Sequence, residues 1–149
     1  MTANSKTNLF SQNLLKLIFQ NVAVANIGNA GGLQPSSAAG SLYFSLHTAD
    51  PGETGTAITS EAAYTGYARV PVARTAAAFP LTGQTINPAA AVTFGNQTAG
   101  GATTITHAGI VTSASGAGDL LYFGAVTPNI SMNTGVTPSL TIASSITED

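Results

Sequence analysis

The residues best suited to chemistry lie together in Ser45-Leu46-His47-Thr48-Ala49-Asp50-Pro51-Gly52-Glu53-Thr54-Gly55. A histidine three positions before an aspartate can act as an acid/base pair, and Glu53 could add a carboxylate oxygen as a further ligand for a metal ion. The same residues also describe a strand that ends in an Asp-Pro-Gly turn, where the aspartate accepts hydrogen bonds from backbone N–H groups. A lone His-x-x-Asp has little specificity. His47, Asp50, Pro51 and Gly52 are therefore read as structural turn residues, with no catalytic residue, metal ligand or cofactor assigned anywhere in the chain.

The second histidine, His107, falls within Thr103–Thr112 beside Ile105 and Val111 and far from any acidic run, which suits a satisfied core or interface position. A serine hydrolase would need a Gly-x-Ser-x-Gly elbow, and the chain has none. Its glycine-rich stretches, 28–32 and 95–101, contain neither a dinucleotide fingerprint nor a P-loop lysine. Zero Cys excludes disulfides, thiolate metal sites and cysteine nucleophiles together. Arg69 and Arg74 are half of all the cations and flank one apolar segment. They are either solvated or paired with Asp50, Glu53 or Glu61, within the subunit or across an interface, because arginine suits bidentate carboxylate pairing.

The elements that would position these residues follow from periodicity. Phe10, Leu14, Leu17 and Ile18 recur at helical spacing between Asn8 and Phe19, with Thr7 or Asn8 as the cap and Lys16 toward the C-terminal end. This stripe predicts packing against a sheet or a neighbouring subunit. Residues 26–40 are small and polar and read as a flexible Gly/Ser arm. Beyond Gly40 the period becomes two. Leu42, Phe44 and Leu46 alternate with Tyr43, Ser45 and His47, which predicts a strand with one buried face. Ala68, Val70 and Val72 form another, where Pro71 points to an edge or a bulge. A short strand follows at Ala91–Phe94 and a long one at Thr103–Thr112. A turn at Gly116–Asp119 leads into the hairpin partner Leu120–Val126, and a closing strand runs from Leu140 to Ile146. The expected fold is all-β: a jelly-roll-like β-sandwich over residues 41–149, preceded by an amphipathic helix and arm over 1–40, as one structural domain.

Composition narrows the partners. Only 7% of residues are charged, with a formal net charge of −2, against about 25% in an ordinary soluble domain. Four dispersed cations cannot neutralise a phosphate backbone, so nucleic-acid binding is excluded. No apolar run approaches the roughly 20 residues that cross a bilayer, and no signal-peptide pattern opens the sequence, so no membrane partner is expected. A surface this poor in charge predicts a chain covered by its own copies or by another protein.

The stretch Leu42 to Gly55 resembles the L-x-x-x-L-H-T-x-D-P-G-x-T-G opening of a group of small tailed-bacteriophage virion proteins. Gly66-Tyr67-Ala68-Arg69, Ala91-Val92-Thr93-Phe94, Thr106-His107-Ala108-Gly109 and Leu120 to Ala125 are similar to that group's later elements, in the same order. The resemblance covers about two thirds of the chain and implies a non-enzymatic structural protein of the particle. On that basis the expected role is a capsid cement or decoration protein. It would be made in the host cytoplasm, assemble as a dimer or trimer, and bind the major capsid protein at the capsid surface. Phe10, Leu14, Leu17, Ile18, Arg69 and Arg74 are its candidate interface residues. The alternative is a tail or tail-fibre component bound to tail proteins. A carbohydrate-binding β-domain is a distant third, because Trp is absent and aromatics are scarce.

Overall fold

The computed structural model describes residues 6–148. Strands make up 34% of the chain and helix 9%, so the fold is all-β with one N-terminal helix. The chain forms two compact units. The first is built from the N-terminal residues up to Gly40, from Ala73–Ala90 and from the residues after Leu140; the second from Ser41–Val72 and Ala91–Leu140.

The first unit begins with α1 (Asn8–Gln20). Thr7 caps it: its backbone is extended and its side-chain oxygen accepts the Phe10 N–H at 3.3 Å. Asn21 ends it in the left-handed region, φ 57°, a conformation asparagine tolerates better than most residues. The buried row is Ser11, Leu15 and Phe19, at i, i+4 and i+8. The expected stripe is displaced by about a third of a turn: Phe10 is 40% exposed, while Leu14, Leu17 and Ile18 are only half-buried. The chain holds more apolar helical residues than one face can bury, and the row that places Phe19 edge-to-face on Phe79 at 5.1 Å is the one that packs.

The arm after α1 is pinned to it. Asn21 and Ser36 exchange two hydrogen bonds at 2.9 Å, and Val24 and Leu33 pair as an isolated bridge. A small antiparallel sheet completes the unit, in the order β3 (Leu81–Thr82), β4 (Thr85–Ile86) and the C-terminal pair Ile146–Thr147, with Ile86 fully buried.

The second unit holds the main sheet. Its order is β2 (Val70–Ala73), β1 (Ser41–His47), β6 (Thr103–Val111) and β7 (Leu120–Met132). Pro71 lies on the edge strand β2, the place in a sheet where proline is best tolerated. β6 and β7 form the expected hairpin, although β7 continues six residues past Val126. A two-stranded ribbon pairs β5 (Val92–Thr93) with β8 (Ser139–Leu140). The expected closing strand from Leu140 to Ile146 is instead two strands in two sheets, β8 and β9 (Ile146–Thr147). A turn breaks it: the Ser144 N–H reaches the Thr141 carbonyl at 3.0 Å, and the Thr141 hydroxyl accepts the Ala143 N–H.

β1 departs from simple alternation. Leu42, Phe44 and Leu46 are buried as expected, but Ser45 and His47 on the opposite face are also fully buried. The second unit therefore encloses polar side chains on one face of its main sheet.

Candidate functional site

The buried polar face of β1 is where the chain's chemistry gathers. The His47 ring is bonded through both nitrogens: Nδ1 lies 2.8 Å from the Thr59 carbonyl and Nε2 lies 2.8 Å from Ser45 Oγ. A carbonyl can only accept, so Nδ1 carries the proton, leaving Nε2 to accept from the Ser45 hydroxyl. Burial pushes the His47 pKa below its ordinary value, outweighing the Thr59 bond and the Glu61 charge that raise it, with Arg69 and His107 lowering it further. The ring is neutral at pH 7.

Ser45, His47 and the Thr59 carbonyl thus have the connectivity of a serine–histidine dyad oriented by a third group. It is sealed, however. Ser45 and His47 are both 0% exposed, and Gly109 faces Ser45 across the ladder. A Cβ at Gly109 would lie 2.8 Å from Ser45 Oγ and 2.9 Å from His47 Nε2, so only glycine fits against the pair. There is no room there for an acyl group, and the hydroxyl serves the core. Sequence reading missed this pair. Its signal is the i, i+2 spacing of Ser45 and His47, which puts both on one strand face.

The turn after β1 forms as expected. Asp50 Oδ1 accepts the Gly52 N–H at 2.8 Å, and Gly52 adopts φ 68°. The structure does not give Asp50 to His47. The Asp50 carboxylate instead approaches His107 Nε2 at 3.9 Å, from a side chain 64% exposed. His107 stands directly opposite His47 in the β1–β6 ladder and is also bonded to the Thr106 hydroxyl through Nδ1, at 2.9 Å. Among the described residues no three His, Asp or Glu side chains come together to hold a metal ion.

Arg69 shows which of its open partners it meets. Its guanidinium is 1% exposed and grips Glu61 with both Nε (2.6 Å) and Nη2 (2.8 Å). The remaining donors reach the carbonyls of Ser113 (2.9 Å), Gly116 (2.8 Å) and Ala57 (3.3 Å) and the Ser113 hydroxyl. The Glu61 bonds raise the Arg69 pKa further above its ordinary value. Tyr67 completes the network by donating to Glu61 at 2.9 Å while accepting the Leu46 N–H at 3.1 Å, and burial raises its pKa strongly. One buried cation thus ties the loop carrying Glu61 to the turn between β6 and β7.

Arg74 belongs to the first unit and meets no carboxylate among its described bonds. Its guanidinium donates to the carbonyls of Leu17 (2.7 Å), Ile18 (2.6 Å) and Ala39 (3.2 Å) and to the Ser36 hydroxyl. A cation there neutralises the negative end of α1 and supplies donors for its last carbonyls. Both arginines therefore hold their own subunit together.

Comparison with known proteins adds one match. Residues 5–147 match the family described as podophage GP4 fiber I protein gp80. No curated protein matches the chain.

Proposed function

We propose, because this chain belongs to the podophage GP4 fiber I protein gp80 family, that it is a structural subunit of a fibre on a bacteriophage particle. The family description is the observation that carries the reading, and the match extends over nearly the whole chain. It favours the tail or fibre alternative over the capsid cement role drawn from the sequence. The interior supports a structural role. The Ser45–His47 pair sits where no substrate reaches, and Arg69, which has the strongest charge contacts, is used to lock loops. Removing either partner of such a buried pair is costly, so the network holds its loops in one arrangement.

Particles made without this chain supply the test. The reading expects complete shells that lack a fibre, and recovery of the fibre when the purified protein is added back. Intact fibres on shells that rupture or melt early would overturn it in favour of cement.

A further inference from the structure

The chain has two histidines, and they face each other across β1 and β6. His47 is fully enclosed, and part of its cover is the loop that follows its own strand. That loop leaves β1 at Thr48 and returns at Ala62. It is held to the strand by Thr48 N–H to Ser60 O (2.8 Å), Ala62 N–H to Leu46 O (2.8 Å) and the His47 bond to Thr59 O, while Arg69 and the Gly118 carbonyl anchor Glu61 and Ala57 on either side of residues 58–60. Ser60, next to the carbonyl that His47 holds, has φ 52°, a left-handed conformation uncommon for serine. The loop is thus fastened at its end over a buried imidazole, with a strained residue at the fastening.

We propose that residues 58–60, between the anchored Ala57 and Glu61, are an acid-released cover, which lifts from His47 when that ring takes up a proton. The groups around the ring decide the sign. From β1 comes the Ser45 hydroxyl, which needs a bare Nε2 to receive its proton. β6 contributes His107, which disfavours a positive charge on His47, with Asp50 as its neighbour at 3.9 Å. Glu61 favours the charged ring, but its carboxylate is already shared between Arg69 and Tyr67. Arg69 adds a fixed positive charge, and the dominant influence is burial itself. A proton on His47 is therefore disfavoured while the loop is closed and ordinary once it is lifted.

The pH window follows from that difference. Above an ordinary histidine value of about 6.5 the ring is neutral in both states, and closure is at full strength. Below it the open state takes up a proton that the closed state refuses, and the open population rises by up to about tenfold per pH unit. The rise stops once pH falls through the lowered value of the closed state. The proposal is independent of the fibre reading, because a subunit located anywhere in the particle would contain the same cover.

Hydrogen exchange of the full chain, corrected for the intrinsic pH dependence, reads this directly. The Thr48 amide, bonded to Ser60 O, should lose protection as pH is lowered from about 7.5 to 5, while Ala62, beyond the Arg69–Glu61 anchor, and core amides of β1 such as Phe44 keep theirs. His47→Gln should remove that pH dependence. Equal protection at both pH values, or an unchanged pH dependence in His47→Gln, would overturn the proposal. If the variant does not fold, ring ¹⁵N shifts of the unaltered protein decide the matter. A neutral ring protonated at Nδ1 and titrating below the ordinary value supports the cover; one titrating at or above that value contradicts it.

Discussion

Arg69 and Glu61 should behave as a coupled buried pair, and the coupling can be worked from their surroundings. The guanidinium is 1% exposed and the carboxylate 16%, at contacts of 2.6 and 2.8 Å. Glu61→Gln leaves an arginine that water cannot reach. Three carbonyls still solvate it, so the cost falls at the lower end of the range for a broken buried pair, about 3 kcal/mol. Arg69→Met leaves the carboxylate partly hydrated but strips the Ser113, Gly116 and Ala57 carbonyls of their donor, at a similar cost of about 3 kcal/mol. The double variant leaves no buried charge and only those carbonyls unpaired, so it should cost about 4 kcal/mol rather than about 6 kcal/mol. A coupling energy of about 2 kcal/mol follows. Urea unfolding followed by circular dichroism measures all four proteins, and circular dichroism suits a chain without tryptophan. Coupling below about 0.5 kcal/mol, as exposed pairs give, would refute the reasoning.

Gly109→Ala should destabilise by about 1–3 kcal/mol in the same urea assay, because its Cβ would meet Leu120, Ser45 and His47 at 2.6, 2.8 and 2.9 Å. Ser11→Ala should be neutral or stabilising by up to about 1 kcal/mol, since the fully buried Ser11 hydroxyl has no partner among the described residues and alanine is the better helix former. Asn21→Gly should leave α1 intact by circular dichroism, because glycine accepts φ 57° at least as readily. It should nevertheless speed proteolysis within residues 22–36, having lost both bonds to Ser36.

What could be read from the sequence divides along the range of the forces involved. A cap at Thr7 or Asn8, the alternation of Leu42, Phe44 and Leu46, an edge or bulge at Pro71 and the Asp50–Gly52 turn all depend on neighbours a few residues away, and the structure shows Thr7 as the cap, Pro71 on an edge strand, and the alternation and turn as read. The burial of Ser45 and His47, and the choice of Glu61 among the partners open to Arg69, were hidden for the opposite reason. Alternation places polar residues outward, and only partners well removed along the chain (Thr59, Glu61, Ser113, Gly116) make their burial tolerable. The shifted face of α1 has the same origin, since Phe79 lies far from the helix in sequence and selects Phe19. The split of the last strand turned on a single threonine side chain that offered the backbone a turn. Nothing in strand periodicity separates a fibre from a shell, and the family match was needed to favour one.

Electron microscopy of intact particles labelled with gold-conjugated antibody to this chain tests the central claim most directly. The fibre assignment predicts gold confined to fibres projecting from the particle, with bare shells. Gold distributed over the shell surface, with unlabelled fibres, would contradict it.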